Sequence, residues 1–295
     1  MPESTRPDLA GRVLALTRLA PFQVLPPAEL SQLALAGREQ VVLRRRVLVK
    51  AGERPDAMHV PLRGDLSMAG GEKNPDWNPA RVAGLALLGE RCVRADLVAP
   101  CGTVLLVLER DTFLAVLEEH GELCRHLLRA LAWQLRTVQQ ASGPAFRITS
   151  QQTPDGTDLI SRMLVLRKLL GPGGGGIAAV ARLARVAREL RLASGMEVPP
   201  APRGADVLII THGSLRLLPK QGTARMARAG EVVGLAEAVA GVPLPVQAVA
   251  TVPTAALVIS QAELAGAIED DDLLCLELIR GFAAELSTEE IGREP

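Results

Sequence analysis

The chain repeats itself at an interval of about 150 residues, and matched residues keep their order in both halves. The first block comprises Asp8, Leu9, Arg12, Leu14, Leu16, Leu19, Leu33, Ala34, Arg38 and Glu39, which return as Asp158, Leu159, Arg162, Leu164, Leu166, Leu169, Leu183, Ala184, Arg188 and Glu189. The second comprises Val98, Ala99, Leu106, Glu118, Leu123, Cys124, Leu127, Arg129, Ala132 and Leu135, which return as Val249, Ala250, Leu257, Glu269, Leu274, Cys275, Leu278, Arg280, Ala283 and Leu286. The repeat indicates one domain of about 140 residues used twice, so any site is to be sought in both copies.

The duplication sets the expected domain bounds. Domain 1 is predicted over residues 8–138 and domain 2 over residues 158–288, with a linker over residues 139–157. The linker is predicted because that stretch is polar and contains Ser, Gln, Pro and Gly. A length of 295 residues fits two domains of ordinary size.

Composition narrows the classes of function. The net charge is zero, which predicts no strong nonspecific attraction to DNA or to an anionic membrane. Aromatic residues make up only 2% of the chain, too few for a surface that stacks nucleic-acid bases. No apolar run reaches the length needed to span a bilayer. The four cysteines form no CxxC pair and no signal peptide is visible, so we expect reduced thiols and a cytoplasmic protein.

No catalytic or metal-binding set emerges from the motifs. The four histidines share no ligand spacing, and His120 and His126 are six residues apart, which does not place them on one helical face. The glycine run at residues 171–176 is followed by Ile177 and two alanines, whereas a phosphate-binding P-loop ends in Gly-Lys-Ser/Thr. We therefore expect no enzyme, no metal and no cofactor.

Each copy shows the same order of patterns. Helical periodicity covers residues 9–19, and Pro26-Pro27 predicts the start of a second helix that runs to Ala36. Short alternating or apolar stretches with glycine turns then predict about eight strands. A leucine-striped helix closes the copy, over residues 122–138 and again over 272–286. The predicted fold class is mainly β with flanking helices.

Helices around a small antiparallel barrel, with glycine turns at these places, resemble the cyclic nucleotide-binding domain family. In copy one the resemblance rests on Leu19–Leu30, Asp56–Gly64, Gly84–Gly89 and Val104–Phe113, and in copy two on Ala205–Gly213 and Gly230–Val239. It implies two tandem β-barrel (jelly-roll) domains, each with a phosphate-binding cassette between two strands. In the family the cassette reads Gly-Glu-x-Ala and then Arg-x-Ala. Its Glu accepts hydrogen bonds from the ribose hydroxyl, and its Arg pairs with the cyclic phosphate.

Copy one keeps only part of this cassette, and two registers are open. One register puts Gly84 at the position of the family Glu and Val93 at that of the Arg. The other puts Leu85 at the Glu position and Arg94 at the Arg position, next to Ala95. The candidate ligand-binding residues of domain 1 are therefore Gly84, Leu85, Arg94 and Ala95, and no register supplies the Glu.

In copy two, Leu235 follows Gly234 at the Glu position and Leu244 stands at the Arg position. No Lys or Arg occurs between Arg228 and Arg280. A phosphate facing Leu244 would lose its charge-assisted partner, so the cassette of domain 2 is interpreted as degenerate. Neither cAMP nor cGMP is favoured as a ligand.

These features predict a non-enzymatic regulatory or scaffold protein that acts through a protein partner or self-association. The alternative is a sensor that binds a cyclic nucleotide or another anion through domain 1. Bacterial transcription factors of this family carry a helix-turn-helix after the closing helix, and we expect no such DNA-binding module here. The stripe of the last helix, Leu274, Leu278, Phe282 and Leu286, either covers its own barrel or forms a surface that docks against copy one or a partner.

Overall fold

In the computed structural model, the residues described are 9–69, 78–142, 145–147, 158–169, 176–202, 204–219 and 223–292. The first half contains the helices α1 (Leu9–Leu16), α2 (Pro27–Ala36), α3 (Pro79–Leu88), α4 (Arg110–Glu119) and α5 (Gly121–Ser142). Its strands are β1 (Arg38–Val41), β2 (Arg46–Val49), β3 (Ala57–Arg63), β4 (Ser67–Ala69), β5 (Asp96–Ala99) and β6 (Val104–Glu109). The first half is thus a set of short strands with helices on either side, as predicted.

The second half repeats this order. Its helices are α6 (Leu159–Leu169), α7 (Ile177–Val186), α8 (Leu235–Ala240), α9 (Gln261–Asp270) and α10 (Asp272–Gly292). Its strands are β7 (Ala145–Arg147), β8 (Arg188–Leu192), β9 (Val207–His212), β10 (Ser214–Pro219), β11 (Arg225–Arg228), β12 (Glu231–Val233), β13 (Val246–Ala250) and β14 (Thr254–Ile259). Near both ends of the repeat, matched elements begin 150 or 151 residues apart, as Arg38 and Arg188 do for β1 and β8 and Gly121 and Asp272 for α5 and α10. This agrees with the predicted duplication.

Each half holds two antiparallel sheets. In the first, the strand orders are β1-β6-β3 and β2-β5-β4. In the second, they are β7-β12-β9-β14-β8 and β11-β10-β13. One apolar core joins both sheets of the second half, since Ile210 of β9, Leu217 of β10 and Val258 of β14 belong to the same buried cluster. The predicted fold class, mainly β with flanking helices in two tandem domains, is confirmed by this topology.

Aliphatic side chains fill most of the cores, in a chain that is only 2% aromatic. Phe22 and Phe113 of the first half are both fully buried, and their rings meet edge to face at 6.2 Å. Cys124 and Cys275, which the repeat matches, are both fully buried on the closing helices. Their burial fits thiols that serve as small apolar packing groups.

The closing-helix stripe is also part of the interior. Its members Leu274, Leu278, Phe282 and Leu286 are all buried. No side chain of the stripe is exposed, so the stripe is not open to an outside partner.

The chain divides into two compact units, Met1–Ala130 with Phe282–Pro295 and Leu131–Gly281. These bounds differ from the predicted ones because the long helices α5 and α10 each run past the end of one unit and into the other. Within the predicted linker, residues 139–142 continue α5, and Ala145–Arg147 form β7, which pairs with β12. The described parts of the chain contain no helix that is both long and apolar enough to cross a membrane.

Candidate functional site

In unit 1 the cassette region is a buried helix. Asn78 caps α3, its side-chain oxygen accepting hydrogen bonds from the backbone N–H groups of Ala80 at 3.1 Å and Arg81 at 3.2 Å. Gly84 and Leu85 lie in the middle of the helix and are buried. The helix packs on β3, where a methyl group placed on Gly84 would touch the side chain of Met58 at 3.4 Å.

Among the described residues, one small void lies beside this helix. A void lined by Gly84, Leu85 and Met58 has a volume of about 10 Å³, roughly what a single water molecule needs. Arg94 and Ala95 lie in the loop before β5, with Arg94 exposed to solvent. Val93, the alternative residue for the Arg position, is buried, and its backbone exchanges hydrogen bonds with the loop at Gly52 and Glu53. The structure thus places Gly84 and Leu85 in the core and Arg94 on the surface.

In unit 2 the cassette keeps its glycine. Gly234 has a φ of +86°, and a methyl group at its Cβ position would lie 2.5 Å from the backbone oxygen of Asp206. Only glycine fits both the left-handed conformation and the close approach. Leu235 begins the short helix α8 and is buried. Leu244 lies 3.8 Å from the same Cβ position and packs against the apolar core.

Leu244 lines a cavity of about 500 Å³, a volume within the usual range for small-molecule sites. The cavity lies between the start of β8, the loop before β9, and the segment that leads into β13. Its described lining comprises Arg188, Glu189, Leu190, Glu197, Val198, Pro199, Pro200, Ala201, Gly204, Ala205, Asp206, Leu208, Pro243, Leu244, Val246, Gln247, Ala248 and Val258. Leu235 is absent from this lining, so the structure brings only one of the two substituted cassette positions to the cavity.

The charges of this lining are mostly negative. Glu189, Glu197 and Asp206 are acidic, and Arg188 is the single basic residue of the described lining. Arg188 Nη2 lies 3.7 Å from Asp206 Oδ2, and most of the Arg188 side chain is exposed. Burial raises the pKa of Asp206, while the charge of Arg188 acts in the opposite direction. An anion in this cavity would face three acidic side chains of the described lining and one basic side chain, that of Arg188.

Sequence reasoning missed one buried pair near the cassette of unit 2. Glu237 of α8 is 2% exposed, and its Oε1 lies 3.8 Å from Nε of Arg136 on α5. Burial raises the pKa of Glu237, and the charge of Arg136 counteracts this only in part. The Arg136 guanidinium also lies over the Trp133 ring, 4.6 Å from its centre. Hydrophobic periodicity describes residues that are neighbours in sequence, so it could not predict the pairing of Arg136 with Glu237.

The described residues include no cluster of three or more His, Cys, Asp or Glu side chains able to hold a metal ion. Cys92 and Cys101 are exposed, and Cys101 Sγ lies 3.1 Å from the backbone oxygen of Leu43.

No protein-family model matches the chain, and no curated protein sequence does. The structure is similar to that of the regulatory domain of Toxoplasma gondii PKA with cAMP, at 16% identity and a TM-score of 0.32, over 89% of this chain and 94% of that one. For the regulatory subunit of a cAMP-independent protein kinase A from Trypanosoma brucei, the identity is 17% and the TM-score 0.34, over 91% of this chain and 88% of that one.

The N-terminal domain of a transcriptional regulator from Streptomyces coelicolor is 18% identical with a TM-score of 0.37, and its match covers 44% of this chain and 94% of its own length. Likeness at these identities and TM-scores does not decide what this chain binds.

Proposed function

We propose that the protein is a non-enzymatic regulatory or scaffold protein that acts through protein–protein contacts, and that both of its cyclic nucleotide pockets are vestigial. The observation that carries the proposal is Leu244, an uncharged side chain at the cassette Arg position, which packs on the core and lines a mostly acidic cavity.

The argument for unit 2 is electrostatic. A cyclic phosphate carries a full negative charge, and moving it out of water requires a charge-assisted partner. Leu244 offers none, and Asp206 with Glu197 would repel the anion. The backbone N–H groups of α8 do not substitute for the missing Arg, since that helix is only six residues long. A nucleotide in this cavity would therefore lose more in desolvation than it gains in contacts.

The argument for unit 1 is steric. Gly84 and Leu85 occupy the core side of α3, and the void beside them is far smaller than a nucleotide. Arg94 is a surface residue of a loop. The alternative function, an anion sensor in domain 1, needs a cavity where the structure has a packed helix.

Exposed apolar residues on the first helix of each copy support contact with another protein. Leu14 of α1 is 56% exposed, and the matched Leu164 of α6 is 47% exposed. Leu9 and Leu159, which are also matched, are exposed as well, and Ile160 beside Leu159 is 70% exposed. Exposed apolar side chains of this kind favour contact with a partner, and Leu14 and Leu164 present one at the matched position of each copy.

The vestigial-pocket part of the proposal is tested by isothermal titration calorimetry with cAMP, cGMP and guanosine, beside a cAMP-binding protein as positive control. We expect no binding of either cyclic nucleotide with a dissociation constant below about 10 μM, which corresponds to roughly −7 kcal/mol. Binding of cAMP or cGMP tighter than that contradicts the proposal.

The interaction part is tested by sedimentation of the full chain over a wide concentration range. The variant Leu14→Glu/Leu164→Glu removes an exposed apolar group from both first helices. The control Thr17→Glu/Arg167→Glu alters charge three residues further along, directly after α1 and within α6. We expect self-association, or binding of a partner isolated with the wild type, to be lost only in the leucine variant. Equal behaviour of both variants contradicts the proposed surface.

A further inference from the structure

The cavity of unit 2 has apolar walls that the fold leaves uncovered. Leu190, Val198, Leu244 and Val246 are only partly buried, and each packs with one side on the buried core cluster of the two sheets. All four line the cavity with their remaining surface. Apolar surface on a concave wall releases poorly bound water when a ligand covers it, so these four side chains favour an apolar ligand body.

The polar part of the lining defines the charge of a suitable ligand. The Asp206 side chain is 19% exposed, so its carboxylate is largely withdrawn from water at the cavity wall. Arg188 is 65% exposed, and at 3.7 Å its guanidinium does not form a short ion pair with Asp206. Glu189 Oε1 pairs with Nε of Arg191 at 2.7 Å, whereas Glu197 is exposed to solvent. A second cation near Asp206 would offset the cost of burying this carboxylate.

We propose that this cavity binds a small organic cation, an amine with an aromatic or aliphatic body, whose apolar part covers Leu190, Val198, Leu244 and Val246 and whose ammonium group pairs with Asp206. A volume of about 500 Å³ accommodates a drug-sized molecule of this class. The proposal rests on the proposed function in one respect, since the same substitution at Leu244 that removes phosphate recognition provides the apolar wall.

Other ligand classes fit the lining less well. An anion would face three acidic residues with one exposed Arg as its only described partner. A neutral apolar molecule would cover the four aliphatic side chains but leave Asp206 without a new partner. We therefore expect this site to bind a cation most tightly, a neutral molecule less tightly and an anion most weakly.

The test uses three probes with the same carbon skeleton: phenylpropylamine, phenylpropanol and phenylpropanoate. Each is titrated into the full chain at neutral pH and followed by calorimetry and by the chemical shifts of leucine and valine methyl groups. We expect the amine to bind at least about tenfold more tightly than the alcohol, as one charge-assisted contact provides, and the carboxylate to bind most weakly. The methyl groups of Leu190, Val198, Leu244 and Val246 should shift first.

Two variants test separately the contribution of the Asp206 charge and that of the apolar walls to ligand affinity. Asp206→Asn should reduce the preference for the amine over the alcohol to less than twofold, while Glu269→Gln, which removes one exposed acidic charge from α9 outside the cavity, should leave it unchanged. Val246→Phe, which fills part of the cavity, should weaken the amine and the alcohol by tenfold or more. The methyl shifts of the wild type test the location even if a variant fails to fold.

Three results would overturn the proposal: no binding of the amine at millimolar concentration, equal or tighter binding of the carboxylate, or an amine preference that survives Asp206→Asn. Failure of the proposed function is a separate outcome. It would appear as binding of cAMP or cGMP with micromolar affinity. If only the cation site fails, neither nucleotide binds and the protein does not distinguish the three probes.

Discussion

His59 is expected to make unit 1 less stable in mild acid. It lies on β3 opposite Val107 of β6 and is 7% exposed, and its Nδ1 has no hydrogen-bond partner. Burial lowers the pKa of His59 from 6.5 to about 4; Asp56 opposes this shift, and Arg46 and Arg38 add to it. The native imidazole therefore stays neutral at a pH at which the unfolded chain is protonated.

The sign and size of the effect follow from linkage. Because the native pKa is the lower one, the contribution of His59 is fully present above the unfolded pKa of 6.5 and is lost as the pH falls toward about 4. At ~1.4 kcal/mol for each tenfold difference in proton affinity, the total loss is about 3 kcal/mol, of which about 2 kcal/mol is lost by pH 5.

The repeat provides the control residue. The position matched to His59 is Leu208, which is buried in β9 opposite Val258, as His59 lies opposite Val107 in β3. His59→Leu should therefore pack in β3 and remove the titrating group. Urea unfolding, followed by amide exchange of β3 and β6, is measured for both proteins between about pH 7.5 and pH 5. The stability of the wild type should fall by about 2 kcal/mol more than that of the variant. A difference that does not change with pH, or a native imidazole that titrates near 6.5 by NMR, would refute the reasoning.

Two further predictions concern the cassette of unit 2. Gly234→Ala should lower the stability of unit 2 by at least ~2 kcal/mol more than Gly195→Ala does. Both glycines have φ near +85°, but only at Gly234 would the added methyl group lie 2.5 Å from a backbone oxygen. Equal losses of stability in urea unfolding would contradict this prediction. Arg136→Met should cost roughly 3 kcal/mol by leaving Glu237 buried without its partner, and Arg136→Met/Glu237→Gln should recover most of that loss. Since burial raises the pKa of Glu237, the penalty of Arg136→Met should shrink as the pH is lowered, and a penalty that grows in acid would count against the pair.

Local sequence patterns predicted most of the fold. The start of α2 at Pro27 follows from proline at a first helical position, and the turn after β3 from Gly64, whose φ is +78°. The repeat predicted that Cys124 and Cys275 share one environment, because duplicated cores keep their packing. These features depend on a few neighbouring residues and on the order of the chain, and both are visible in the sequence.

The remaining features depend on contacts between distant segments. Residues 139–142 have a polar composition, yet they continue α5, whose preceding turns, at Leu131 and Leu135, are anchored by burial. The partner of Glu237 lies on another helix, and the cavity of unit 2 arises where three separate segments meet. The sequence proposes a cassette position for Leu244, but whether its side chain lines a cavity or fills it depends on the three-dimensional spacing of those segments.

The division of the chain into two units determines the order in which their cores can be completed during translation. Unit 1 begins at the N-terminus but also includes the end of α10, where Phe282 and Leu286 are buried. The backbone of Ala284 lies very close to Gly89 of unit 1. A methyl group at the Cβ position of Gly89 would be 2.5 Å from the backbone nitrogen of Ala284. A ribosome releases these residues only after all of Leu131–Gly281 has been translated, whereas domains generally fold in order from the N-terminus. The unit that is translated first is the last to acquire its complete core.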